Sequence, residues 1–175
     1  YAMSLRKPQE EALSYLDAIS THCDYKCDDK ETIEVAASEY SENNRKVRTK
    51  FDFPSFCYNM ATGIGKTRLM GACIYYLYKT KGYKHFFILA PGNTIYDKPR
   101  NESNPAHPKY IFKGLEAEMG RPRVWDGENY DQYPVKYEQG SLFVDQMSEI
   151  QLFIFNIGKI FNSKTDTQFN FHKFK

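Results

Sequence analysis

The chain has 175 residues, 41% apolar and 16% aromatic, with a formal net charge of +2. This is long enough to bury a core and too apolar for a disordered chain. No apolar run nears the roughly 20 residues a membrane helix needs, so no membrane partner is expected, and the even charge balance argues neither for nor against nucleic acid.

The N-terminus shows no charged-then-apolar signal pattern. Tyr1 and Ala2 precede Met3 and read as a vector-derived scar ahead of a native start, which sets residues 1–3 apart. "SLRKPQEEALSYLDAI" predicts a helix. Pro8 suits a first helical position, Glu10 and Glu11 suit the positive end of the dipole, and Ala12, Leu13, Tyr15, Leu16 and Ile19 supply one apolar face. Residues 21–50 are polar and charged. Ile33, Ala36, Ala37 and Tyr40 within them have the spacing of a surface helix, and "SENNRKVRTK" reads as an exposed basic loop.

"FPSFCYNM" reads as a short buried strand. A glycine turn follows, then "KTRLMGACIYYLYKTKG" as a helix packed through Leu69, Met70, Cys73, Ile74 and Leu77 and ended by Gly82. "HFFILAP" is unbroken in apolar residues, as a strand covered on both faces should be. Strand, loop, helix and strand in that order predict a βαβ unit, hence an α/β domain with a mainly parallel sheet. "YDKPRNESNPAHPK" holds three prolines among polar residues and reads as a loop. "RPRVWDG" suggests a third strand stopped by a turn at Asp126-Gly127. "GENYDQYPVKYEQGS" is turn-rich, "IQLFIFNI" is a last strand, and the aromatic tail after residue 161 has no period.

The four cysteines, Cys23, Cys27, Cys57 and Cys73, are expected as free thiols of a cytoplasmic protein. Cys23 and Cys27 beside His22 lack the second ligand pair of a structural zinc site.

The chemistry concentrates in "NMATGIGKTRLM". Gly65, Lys66 and Thr67 match the end of the phosphate-loop pattern G-x-x-x-x-G-K-[ST], but Met60 stands where its first glycine falls. The mechanics survive that change. Gly63 and Gly65 let the backbone aim successive N–H groups at one anion, and the helix opening at about Lys66 turns its positive end to the same point. Thr62, Ile64 and Arg68 complete the cradle. Lys66 would reach the β- and γ-phosphates of ATP, and the Thr67 hydroxyl would ligate Mg²⁺.

"MATGIGKT" resembles the first motif of superfamily 2 helicases and translocases, and most of all the motor subunits of type III and type I restriction enzymes. "LRKPQEEAL" is similar to that family's upstream glutamine segment, and "FFILAPGNTIYDK" to the strand and loop after its first helix. The resemblance extends more weakly through "KYIFKGL", "RVWDGENY" and "LFIFNIGKIF". It implies a three-layer, RecA-like P-loop domain over residues 51–161, present only in part, behind an N-terminal helix and polar insertion at 4–50 and ahead of a tail at 162–175. It makes Gln9 an adenine reader with Arg6 beside it. It sets Pro91, Gly92, Asn93 and Thr94 against double-stranded DNA, and it implies a modification methyltransferase subunit as partner.

Such a motor also needs an Asp-Glu pair at a strand end to hold Mg²⁺ and activate water. The sequence contains no Asp-Glu dipeptide; Asp126 with Glu128, and Asp145 followed by Gln146, are its nearest approaches. The chain is therefore expected to be the ATP-binding N-terminal part of a larger ATPase, binding nucleotide weakly and not hydrolysing it alone. Two alternatives are a small P-loop kinase, for which Arg121 and Arg123 would be the downstream arginines, and a non-catalytic nucleotide-binding module.

Overall fold

The computed structural model describes residues 3–22, 55–133 and 150–158. The surface helix expected around residues 33–40, Cys23, Cys27, Asp145 and the aromatic tail lie outside these. The chain divides into two compact units, residues 4–73 and residues 74–175 together with the first three. Among the described residues no helix is long and apolar enough to cross a membrane.

In the first unit, helix α1 spans Lys7–His22. The Arg6 carbonyl starts it by accepting the N–H groups of Gln9 and Glu10 at 2.8 and 3.0 Å. Gln9 Oε1 returns to accept the Arg6 N–H at 2.8 Å, which is one half of a capping box. Pro8 sits in this first turn, where its missing N–H costs no helical bond. The buried stripe runs Gln9, Ala12, Leu13, Leu16 and Ser20. Tyr15 lies off that line and is 49% exposed, against the expectation that it packs.

The strand expected at 53–60 is not formed in its described part. Residues 55–60 keep the alternation of a strand, with Phe56, Tyr58 and Met60 half-buried, but take no place in the sheet. An apolar alternating run makes a strand only where neighbours accept and donate its backbone bonds.

Helix α2 spans Lys66–Lys81 and crosses from the first unit into the second. Leu69, Ala72, Ile74 and Tyr76 are its buried side chains, whereas Met70, Cys73 and Leu77 are half-buried. Gly82 ends it at φ +71°, its N–H donating to the Tyr78 carbonyl at 3.0 Å.

The second unit holds a parallel sheet of β1 (His85–Ala90), β2 (Arg123–Trp125) and β3 (Gln151–Asn156) in the order β1-β3-β2. Helix α3 covers Asn93–Glu102, and one-turn helix α4 covers Glu116–Met119. The central strand β3 is buried at every residue, as a run with a neighbour on each side should be. Strand β1 was expected to be covered on both faces. Among the described residues it lies instead at the edge of the sheet, and Phe87 and Leu89 are 46% and 49% exposed.

One sheet face is aromatic. Phe87 stacks on its register partner Phe153 at 4.7 Å between centroids, and Tyr133 meets Phe153 and Trp125 edge-on. The buried Trp125 Nε1–H donates to Gln151 Oε1 at 2.6 Å, so this face carries a satisfied polar pair. The other face packs Ile88, Ala90, Val124 and Ile154 around Tyr96 of α3.

Helix α3 overturns the loop reading of residues 96–102. Tyr96, Pro99 and Glu102 recur at a spacing of three and form its buried side, and that packing outweighs the missing N–H of Pro99. The segment after it supplies core that the sequence pattern did not reveal: Tyr110, Ile111, Phe112, Leu115 and Met119 are all buried. Tyr75 of α2 donates its hydroxyl to Glu118 of α4, and Lys79 lies 3.5 Å from the same carboxylate. Both interactions hold the Glu118 carboxyl below the usual range, the Tyr75 bond most.

Candidate functional site

The glycine loop is built by backbone geometry. Gly63 and Gly65 lie at φ +81° and +93°, in the left-handed region that glycine tolerates. A Cβ on Gly63 would meet nothing within 4 Å, whereas one on Gly65 would stand 2.5 Å from Gln9 Nε2. A side chain at Gly65 would therefore have to displace the Gln9 amide.

Three successive carbonyls of the loop are tied back to the start of α1. Arg6 Nη1 donates to the Gly63 carbonyl at 3.2 Å, and Gln9 Nε2 donates to those of Ile64 and Gly65 at 3.0 and 2.9 Å. In a trans peptide the N–H points opposite to the preceding C=O. Holding the carbonyls of residues 63–65 against α1 therefore directs the N–H groups of residues 64–66 away from it. The Gly65 carbonyl also accepts the Leu69 N–H at 3.1 Å, so the first bond of α2 begins in the loop. No acid sits in the first turn of α2, so nothing there neutralises the positive end. Lys66 and Thr62 are exposed, and Thr67 and Arg68 are half-buried. This collects Arg6, Gln9 and residues 62–68 into one site. A cleft of about 440 Å³ opens beside it, between Pro8, Glu11, Ala12 and Tyr15 of α1 and the segment running from Cys57 to Ile64.

The second group of expected residues lies at the carboxyl end of the parallel strands, where open α/β sheets bind ligands. Pro91, Gly92, Asn93 and Thr94 are all exposed, and Gly92 caps α3 at φ +83°. Asn93 Oδ1 accepts a bond from Asn156 Nδ2 at 2.8 Å, and Asn156 Oδ1 accepts the Gly158 N–H at 2.8 Å. Sequence reading placed Asn156 at the close of the last strand but gave it no role at this end of the sheet; its one signal was a polar residue closing an apolar strand.

The acids are engaged elsewhere. Asp126 is 5% exposed, with Oδ2 receiving Arg100 Nε at 2.6 Å and Oδ1 receiving the Glu128 N–H at 2.8 Å. Glu128 accepts Arg100 Nη2 at 2.6 Å. Among the described residues no group of three or more His, Cys, Asp or Glu side chains could hold a metal ion.

An α/β chain with a parallel sheet and a glycine loop opening a helix at Gly-Lys-Thr is a P-loop protein of RecA-like type. The chain belongs to the family of the type III restriction enzyme, res subunit, whose model matches residues 2–175. It is similar to the probable type III restriction-modification enzyme HindVIP Res subunit of Haemophilus influenzae, with 46% identity over 56 residues. That match covers 31% of this chain and 11% of the relative. No solved structure matches.

Proposed function

We propose that this chain provides the nucleotide-binding part of a DNA-dependent ATPase, the motor of a type III restriction-modification enzyme. One observation carries the reading: the carbonyls of residues 63–65 are bound to α1, so the loop presents its N–H groups and the start of α2 together to an anion. The residues fit a triphosphate. Lys66 is exposed and would meet the β- and γ-phosphates, while the N–H groups of residues 64–66 would hold the phosphate oxygens. Thr67 would give Mg²⁺ one oxygen, the phosphates supplying others. When bound, Mg-ATP brings the phosphoanhydride bond whose hydrolysis drives such motors; this chain's residues bind and orient it.

The activating carboxylate is not assigned to Asp126, because Arg100 neutralises it within the fold. We propose that the chain alone binds Mg-ATP weakly without turning it over, since its sequence contains no Asp-Glu dipeptide to hold Mg²⁺ and activate water. Pro91, Gly92, Asn93 and Thr94 touch the backbone of double-stranded DNA in the whole enzyme, which works with a methyltransferase subunit. Titration calorimetry with Mg-ATP tests the first claim. Binding that Lys66→Ala weakens by about tenfold or more supports it, and a chain that binds no nucleotide refutes it. Multiple-turnover hydrolysis lost in Lys66→Ala would overturn the claim of inactivity.

A further inference from the structure

The resemblance makes Gln9 a reader of adenine, yet its side chain is already tied to the protein by three hydrogen bonds, two of them from Nε2 to the loop. A glutamine amide has two N–H donors and one carbonyl acceptor. Here both donors go to the loop, to the carbonyls of Ile64 and Gly65, and the acceptor takes the Arg6 N–H. The residue is 2% exposed. The assignment of nitrogen and oxygen is self-consistent, since a flipped amide would set an oxygen against two carbonyls. A base acceptor that used the N–H groups of this amide would first have to break the bonds that hold the loop.

We propose that Gln9 is a positioning residue of the phosphate loop, which pre-forms the cradle through the carbonyls of Ile64 and Gly65 before any nucleotide arrives. The inference rests on the nucleotide-binding reading above and changes what Gln9 does within it. Three observations carry it. Gln9 is anchored by the first turn of α1, where its own N–H donates to the Arg6 carbonyl at 2.8 Å and its Oε1 takes the Arg6 N–H, so the amide is aimed rather than free to swing. The carbonyls it binds belong to the peptides whose N–H groups face the anion. Gly65 leaves room for it, because a Cβ there would overlap Nε2. Arg6, at the Gly63 carbonyl, extends the same hold by one peptide.

The two roles separate when the base is removed. A reader of adenine affects ATP and is indifferent to inorganic tripolyphosphate. A residue that shapes the cradle affects both alike. The experiment is titration calorimetry of the chain with Mg-ATP and with Mg-tripolyphosphate, for wild type, Gln9→Ala and Gln9→Glu. Gln9→Glu keeps the length and the acceptor toward Arg6 but loses both donors to the loop. Amide hydrogen exchange is followed in the same proteins without ligand.

The expected result is an equal loss for both ligands, about tenfold or more in each variant, with faster exchange confined to residues 63–67 while α1 and α2 stay protected. A merely structural role would raise exchange along both helices, and that outcome overturns the proposal. So does a loss for ATP with tripolyphosphate unchanged, which returns Gln9 to reading the base, and so does no loss for either ligand. Wild type that binds neither ligand refutes the nucleotide reading itself and takes this inference with it.

Discussion

Arg100 and Asp126 join the end of α3 to the turn that follows β2, through a 2.6 Å bond from Arg100 Nε to a carboxylate 8% exposed in its side chain. Arg100 forks, its Nη2 reaching Glu128 at the same distance, but the Glu128 side chain is 73% exposed. The two arms therefore differ in worth.

Removing Arg100 strands a buried carboxylate, which costs more than the loss of an exposed pair. Arg100→Ala is expected to lower unfolding free energy by about 2 kcal/mol, and Glu128→Ala by under about 0.5 kcal/mol. Arg100→Lys recovers only part, since an ammonium cannot serve both acids as a planar fork does. Urea unfolding of the three variants measures this; equal effects of Arg100→Ala and Glu128→Ala would contradict it.

The turn at Asp126-Gly127 was legible because Asp and Gly have strong local preferences. The role of Asp126 was not, because Arg100 comes from 26 residues upstream and no local pattern announces it. The same division runs through the fold. Gly82 as a helix stop and β3 as a strand were readable from local chemistry and period. "HFFILAP" looked doubly covered, yet among the described residues strand order puts it at an edge, and order is set by neighbours distant in sequence. Tyr96 and Pro99 were hidden among prolines and charges, and only the sheet they pack against makes their helix. At the site, the glycines and Lys66 were plain in the sequence, whereas the use of both Gln9 donors required the loop's shape.

Gly63 and Gly65 share a left-handed φ but not their surroundings, so their alanine variants should separate. Gly63→Ala meets only backbone strain, about 1 kcal/mol. Gly65→Ala adds a 2.5 Å approach to Gln9 Nε2, which must then let go of the loop. Its expected cost is about twice as large or more. It should also weaken tripolyphosphate binding beyond Gly63→Ala. Chemical denaturation of both variants checks the order, and the reverse order would show that the Gln9 contact does not constrain the loop.

Cys73 and Cys57 should differ as sharply. Burial pushes the Cys73 thiol from 9.0 up to about 11, while Cys57 is exposed. Because the thiolate is the nucleophile, iodoacetamide at pH 8 should label Cys57 well before Cys73, as read by peptide mass mapping. The sign for stability follows from proton counting. Below pH 9 both states hold the Cys73 proton and there is no effect. Between pH 9 and about 11 the unfolded chain has lost it and the folded chain keeps it, so stability falls as pH rises. The loss is on the order of 2 kcal/mol across that window. Cys73→Ala should remove this part of the alkaline slope, and an unchanged slope would contradict it.

Asn156 and Asn93 connect the end of the central strand to the first turn of α3, and this sets what each neighbouring substitution should do. Asn156 is 6% exposed and satisfies both Asn93 and the Gly158 N–H, so Asn156→Ala leaves two groups short of a partner. A loss of about 1–2 kcal/mol is expected. Thr94 is exposed, and Thr94→Ala should cost little stability. If the surface of residues 91–94 meets a DNA backbone, both variants should weaken duplex binding by the whole enzyme, Asn156→Ala by disordering the start of α3 and Thr94→Ala by removing a contact. Phosphate contacts carry little sequence preference, so each loss should be similar across duplex sequences. Fluorescence anisotropy over a salt series, beside thermal melts, separates the two routes. Thr94→Ala with unchanged DNA affinity, and Asn156→Ala altering only the melting temperature, would place the DNA contact elsewhere and leave the Asn pair as a brace between β3 and α3.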